Sequence, residues 1–281
     1  MGWPCSYSRG CELAQDRVAA AFERAKSERR PALLPYLTVG YPNVRATLDL
    51  VPAILAAGAD AIELGVPFSD PMADGPVIQE ASFHALKQGV TPRQCLEVTA
   101  ELRKRGVQAP LILMGYYNPI LATGLERWAR DAAAAGADGC IVPDLPPDEA
   151  APLRTALAAH RLHLVPMVAP TSTDARLASA LADASGFVYC VTLTGVTGAR
   201  SELPAGVGDT VNRVRRHTKL PIVMGFGISQ HAHMQAIGQY ADGAAVGSAM
   251  IRAIGAKAGH EVENACALVR ELRGRVNRRG R

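Results

Sequence analysis

Two carboxylates stand at either end of the stretch Ile62-Glu-Leu-Gly-Val-Pro-Phe-Ser-Asp-Pro-Met-Ala-Asp-Gly-Pro76. Glu63 lies in a strand-like run with apolar neighbours, which aims its side chain into an interior. Desolvation there raises a carboxyl pKa, and a raised pKa lets the group both give and take a proton near neutral pH. The other reading of Glu63 is a structural ion pair, which is less attractive because a buried pair seldom adds stability. Asp74 stands beside Gly75 and Pro76. Taken alone, it is a turn former or a helix cap.

A second group of residues suits an anion. Gly225-Phe-Gly227-Ile-Ser229 and Gly247-Ser248 each follow a short apolar run, and Gly195-Val-Thr-Gly198 follows the run before them. One such glycine is ordinarily a turn, but three turns at the ends of consecutive strands point to a phosphate site. Glycine lets backbone N–H groups come close to the oxygens, and a helix N-terminus favours the charge. Ser248 is expected to cap the following helix and to offer its hydroxyl. Gly225-Phe-Gly227 lacks the third glycine of a dinucleotide loop, and no nucleotide P-loop is present. A small phosphorylated metabolite is the favoured ligand.

What the chain lacks narrows the chemistry. It has five lysines (Lys26, Lys87, Lys104, Lys219 and Lys257), none at the C-terminal end of a predicted strand. A Schiff-base aldolase is therefore not expected. The seven histidines form no ligand pattern, since His231 and His233 lie two apart and point in different directions on a helix. Carbon–carbon cleavage here needs a substrate that carries its own electron sink.

These residues need a scaffold that gathers strand ends. Eight short apolar runs recur: Ala32–Val39, Ala59–Leu64, Pro110–Met114, Gly139–Val142, Leu162–Val168, Phe187–Val191, Leu220–Met224 and Gly243–Val246. Most are continuously apolar, as parallel strands buried on both faces are. Segments with apolar residues at helical spacing lie between them, for example Arg45–Ala57 and Leu125–Ala135. Leu55-Ala-Ala-Gly-Ala-Asp60 and Ala133-Ala-Ala-Gly-Ala-Asp138 share one form, echoed loosely by Tyr240-Ala-Asp-Gly243, with glycine ending a helix before the next strand. Eight βα units without a composition shift predict a single α/β domain, a (β/α)₈ TIM barrel over about residues 31–256. An extra N-terminal helix is expected over about 11–28, with Leu13, Val18, Phe22 and Ala25 packing on the barrel bottom. A C-terminal helix and an Arg-rich tail fill about 260–281. In such barrels chemistry sits at the C-terminal ends of the strands.

The net charge is +4, but residues 270–281 carry six Arg and one Glu, so the rest of the chain is nearly neutral. That balance does not suggest a nucleic-acid groove. Cys5, Cys11, Cys95, Cys140, Cys190 and Cys266 show no paired spacing, which fits a reducing compartment. No membrane-length apolar segment and no signal-like stretch at Met1–Cys5 is present, and a cytoplasmic location is expected.

Ala61–Pro76, read with Gly195–Gly198 and Pro221–Ser229, closely resembles the tryptophan synthase alpha family, and the likeness runs from about Pro31 to Ile251. The resemblance implies a lyase of tryptophan biosynthesis that splits indole-3-glycerol phosphate into indole and glyceraldehyde 3-phosphate. It implies that Glu63, Asp74 and Tyr189 are catalytic, with Glu63 protonating indole C3 and Asp74 receiving the indole N–H. It assigns Gly198, Gly227, Gly247 and Ser248 to the phosphate, and Tyr36, Met114, Thr197 and Phe226 to the indole pocket. Tyr36 and Met114 also fit plain core positions.

By the same resemblance the partner is a β subunit in an α2β2 heterotetramer. The interface would use the loop Pro67–Asp74 and the turns Tyr116–Pro119 and Asp144–Pro147. The chain itself is expected to hold no cofactor and no metal, pyridoxal phosphate belonging to the β partner. Neither nucleic acid nor membrane is an expected partner. Thr192 stands where the family often has serine, and the stretch before Leu13 is longer than the family pattern. The segment Thr192–Pro204 is expected to be a lid, with Arg200 open to trypsin until ligand binds. Two further readings remain open: a free-standing lyase that releases indole without a partner, and an idle regulatory subunit. The presence of both Glu63 and Asp74 argues against the second.

Overall fold

The computed structural model describes residues 16–191, 206–225 and 227–275. Among the described residues nine strand segments form one sheet: β1 Ala32–Thr38, β2 Ile62–Gly65, β3 Leu111–Met114, β4 Gly139–Ile141, β5 His163–Val165, β6 Met167–Val168, β7 Val188–Val191, β8 Ile222–Gly225 and β9 Gly243–Val246. Their spatial order is β5-β4-β3-β2-β1-β9-β8-β7-β6. Every pairing is parallel. Because β1 pairs with both β2 and β9, the sheet curls into a barrel whose last seam lies between β5 and β6.

That seam corrects one expectation. The sequence predicts a single strand over Leu162–Val168, but the structure divides it at Pro166. Proline has no N–H, so a ladder that needs a donor at this residue stops there. The Pro166 carbonyl still accepts from the Tyr189 N–H at 2.9 Å, which ties the interrupted run to β7.

The helices surround the sheet: α1 Arg17–Ser27, α2 Val44–Ala57, α3 Pro76–Lys87, α4 Pro92–Lys104, α5 Tyr117–Thr123, α6 Leu125–Ala134, α7 Ala151–Ala159, α8 Asp174–Leu181, α9 Val207–Arg215, α10 His231–Ile237, α11 Ser248–Gly255 and α12 Glu261–Leu272. Several begin on a side-chain cap. Asn43 accepts from the Ala46 N–H at 2.8 Å, and Thr91 from the Gln94 N–H at 3.2 Å. Each satisfies an amide that the helix itself leaves without a partner. After α2 the chain turns through Gly58 at φ +124°, the helix stop that the Gly-Ala-Asp pattern predicts.

Strand alternation sorts the apolar side chains into two cores. One set, including Leu33, Leu64, Leu113, Val188 and Met224, faces the helices. The other fills the barrel with Leu34, Ala61, Ile112, Ile141, Val165, Phe187, Val223 and Ala245. Val18, Phe22 and Ala25 of α1 join this inner set from below, with the Phe22 and Phe187 ring centroids 5.6 Å apart. The N-terminal helix therefore plugs the barrel, as its apolar face predicts; Leu13 lies outside the described residues.

The repeated Gly-Ala-Asp joints do more than stop helices. Asp60 Oδ2 accepts from the Leu33 N–H at 2.9 Å, Asp138 Oδ2 from Leu111 at 2.8 Å, and Asp242 Oδ2 from Ile222 at 2.7 Å. In each case the Asp N–H donates back to the carbonyl of the same residue. Each Asp thus closes the first rung between two neighbouring strands. Each also meets arginine: Arg30, Arg24 and Arg273 at Asp60, Arg103 and Arg17 at Asp138, and Arg215 at Asp242.

Candidate active site

Glu63 occupies the inner face of β2, between Ala61 below and Gly65 above, opposite Tyr36 of β1 and Ile112 of β3. Its relative exposure is 1%, and its Oε1 finds no hydrogen-bond partner among the described residues. Burial pushes the carboxyl up to about 8, with no cation among the described residues to pull it back. A buried carboxyl left unpaired is costly, and structure retains such a group where its proton is used.

Asp74 arrives by a different route. The chain leaves β2 through Val66, whose N–H donates to the Met114 carbonyl at 2.8 Å, and folds back in a tight loop. The Asp74 N–H donates to the Pro71 carbonyl at 3.0 Å, and Gln79 Nε2 donates to the Asp74 carbonyl at 2.9 Å. The next residue, Gly75, is the N-cap of α3, with Pro76 at the first helical position. The Asp74 side chain caps no helix. Its Oδ2 accepts from the Tyr116 hydroxyl at 3.0 Å. Burial raises this carboxyl to about 6, against the lowering effect of the Tyr116 hydrogen bond.

Both carboxylates act on the same neighbourhood. Tyr36 and Tyr189 are buried and their phenols are pushed well up, first by burial and then by the charges of Asp74 and Glu63. Tyr36 lies across Gly65, where an added Cβ would fall 2.1 Å from its hydroxyl. Tyr189 lies across Gly225, where a Cβ would fall 2.3 Å from its ring. These two glycines are seats for the rings. A cavity of about 570 Å³ opens beside them, lined among others by Asp74, Ile78, Met114, Tyr189, Val191 and Gly225. Arg176 of α8 is on its wall and brings a positive charge.

Of the residues expected at a phosphate, the described ones fall at strand ends. Gly227 follows β8, and a Cβ there would meet no described atom within 4 Å. At Gly247, after β9, it would come within 3.2 Å of Ile78, which lines the cavity. Ser248 differs from expectation: it is the first residue of α11, Gly247 is the N-cap, and no side-chain cap bond forms. The reason is positional: a side chain reaches the free first-turn amides from the non-helical backbone of the N-cap, and Ser248 stands one residue past it. Thr197, Gly198 and Phe226 lie outside the described residues, as do the segment Thr192–Pro204 with Arg200 and the tail beyond Arg275.

The chain is similar to known proteins over most of its length. The sequence model of the family described as tryptophan synthase alpha chain matches residues 22–277. The tryptophan synthase alpha chain of Roseiflexus sp. (strain RS-1) is 55% identical over 259 residues, covering 92% of this chain and 99% of that protein. The chain belongs to the tryptophan synthase alpha chain family. The corresponding protein of Chloroflexus aggregans is 53% identical, covering 92% of this chain and 97% of that protein. Among solved structures, the tryptophan synthase alpha chain of Legionella pneumophila superposes with a TM-score of 0.85 at 32% identity, covering 95% of this chain and 99% of that one. Tryptophan synthase of Mycobacterium tuberculosis gives 0.84 at 40% identity, covering 94% and 99%. The activity is that of the tryptophan synthase alpha family, the lyase step from indole-3-glycerol phosphate to indole.

Within this family frame, sequence reasoning placed Glu63, Asp74, Tyr36, Met114 and Tyr189 in one region, and the structure gathers them at the mouth of one barrel. It missed Tyr116 as a site residue, treating it only as part of a partner-facing turn. The signal was available: Tyr116 follows Met114 by two, the period of a strand face, and stays extended at φ −82° and ψ 154°. Ile78 and Arg176 carry no comparable mark, because they come to the cavity on helices whose orientation is a tertiary matter. Among the described residues no group of three or more His, Cys, Asp or Glu is placed to hold a metal ion, and no helix is long and apolar enough to cross a membrane.

Proposed function

We propose that Glu63 and Asp74 together perform the lyase step on indole-3-glycerol phosphate bound across the barrel mouth. The observation that supports this most directly is a buried Glu63 that meets no cation among the described residues. With its carboxyl near 8 it is protonated at neutral pH and ready to act as an acid. It gives its proton to indole C3, forming an indolenine that serves as the electron sink. The resulting carboxylate then takes the proton of the adjacent glycerol hydroxyl as the C3–glycerol bond breaks. The bonding electrons return to the ring, and indole and glyceraldehyde 3-phosphate leave. Asp74 accepts the indole N–H and stabilises the positive charge that develops at nitrogen. Tyr189 and Tyr36 shape the pocket with Met114, and Thr197 and Phe226 complete it. Gly198, Gly227, Gly247 and Ser248 receive the phosphate.

The chain works as one domain in the cytoplasm, in an α2β2 complex with a β subunit that holds the pyridoxal phosphate. Two features support the partner face. Met72 is 92% exposed and Leu121 is 53% exposed, apolar side chains on or beside the loops named for contact. Those loops are also tied together, since Tyr116 bonds Ala73 and Asp74 while the Tyr117 N–H donates to Asp144 at 2.9 Å. Purified chain incubated with indole-3-glycerol phosphate, with and without a β subunit, tests the proposal. Cleavage that rises on adding β subunit supports it. Full cleavage by the chain alone, unchanged by partner, favours the free-standing lyase. No cleavage in either case favours the idle subunit.

A further inference from the structure

Tyr116 is nearly fully buried and stands just after β3, its ring stacked on Phe68 with centroids 5.1 Å apart. Its hydroxyl makes two bonds into the carboxylate loop. It accepts from the Ala73 N–H at 2.9 Å and donates to Asp74 Oδ2 at 3.0 Å. A phenol has one proton to give, and here the Ala73 amide occupies its acceptor side, so that proton is directed at Asp74. The bond leaves Asp74 Oδ1 for another donor.

The geometry points to Tyr116 as a positioning residue that holds the Asp74 carboxylate in its working orientation and keeps it ionised for the substrate. This rests on the lyase reading above only for what Asp74 receives. A hydrogen bond to the charged form favours that form. Burial works in the opposite direction at Asp74, and without the phenol proton nothing described offsets it. Tyr36 from β1 and Tyr189 from β7 feel the charge of the same carboxylate, Glu63 of β2 faces Tyr36 across the register, and each of the three is neutral at neutral pH. Asp144, after β4, faces Tyr116. Arg176 lies on the cavity wall, and Asp70, in the same loop, is bonded by the Ser69 hydroxyl at 2.5 Å. None of these replaces the Tyr116 proton.

Tyr116→Phe keeps the ring on Phe68 and removes only the hydroxyl. The test is the carboxyl titration of Asp74, followed by ¹³C NMR in the wild-type chain and in Tyr116→Phe, with lyase pH profiles beside it. The Asp74 titration is expected to move up by about one pH unit, the size of a tenfold change in ionisation. The acid limb of kcat/KM moves with it, so that activity at pH 6 falls about fivefold, through kcat more than KM. A residue that only filled space would leave both curves in place. An unchanged Asp74 titration in Tyr116→Phe overturns the inference whatever the rates do. A wild-type chain that does not cleave the substrate overturns the lyase reading instead, and the titration still decides Tyr116.

Discussion

Asp60 and Glu63 stand three residues apart, just before and within β2, and each has a relative exposure of 1%. Burial pushes both carboxyls up. At Asp60 the opposing contacts win: Arg30, Arg273 and the Leu33 N–H hold the carboxyl below its ordinary value. At Glu63 nothing among the described residues opposes burial, and the carboxyl rises to about 8. The first lies at the end of the barrel where strands begin, the second toward the end where they finish. The comparison separates a carboxylate that holds the fold together from one that the fold keeps reactive. Burial does not distinguish them; the presence or absence of arginine does.

The sharpest way to break this comparison is to neutralise Glu63. Glu63→Gln keeps the shape and removes the exchangeable carboxyl proton. Turnover is expected to fall about 100- to 10,000-fold, the usual contribution of general acid–base catalysis, with the melting temperature unchanged or higher. Retention of more than about a tenth of the wild-type rate would remove Glu63 from the role assigned to it.

The mirror experiment acts on stability. Asp60→Asn leaves Arg30 and Arg273 facing a neutral group at the bottom of the barrel. Removing one partner of a buried pair costs about 3–5 kcal/mol, so denaturant titration should show a loss of that size. The kcat of the molecules that remain folded should stay within about twofold of wild type, because the strand's other end is untouched. A variant as stable as wild type but slow would mean that the two ends are not separable.

The pH dependence of stability is the test most specific in sign. Glu63 has a raised pKa in the folded state, so the folded chain holds its proton more tightly than the unfolded chain does. Its contribution is fully present below the unfolded value of 4.5 and is lost as pH rises to about 8. Wild type should therefore lose stability relative to Glu63→Gln between about pH 5 and 8, and parallel curves would show that Glu63 carries no such penalty. Asp60 has the opposite sign: its contribution is present above the unfolded value and lost only as pH falls through its lowered folded pKa.

Much of this arrangement is legible in the order of the residues. The continuous apolar runs announce parallel strands buried on both sides, and the Gly58 turn announces a helix end, because backbone preference and strand burial are local matters. Glu63 is legible for the same reason, as a charge set among apolar neighbours. The resemblance to a known family supplies Tyr189 and the pocket residues, which their spacing alone does not single out. The seam at Pro166 is also written in the chain, but the apolar run around it hides the missing donor.

What the sequence by itself determined is the set of elements, their order, and which strand carries the unpaired carboxyl. Each follows from periodicity and from the backbone chemistry of glycine and proline over a few residues. Only the tertiary structure decided which charges find partners. Asp60 meets Arg273 from 213 residues away, Asp74 meets Tyr116 from 42 residues away, and Glu63 meets no cation among the described residues. Those pairings depend on barrel closure, which brings α12 to the bottom of the first strands and β3 beside the loop after β2. Electrostatic interaction depends on separation in space and on the solvent between charges. Distance along the chain fixes neither, so the same residue type became a structural clamp at one end of β2 and an acid at the other.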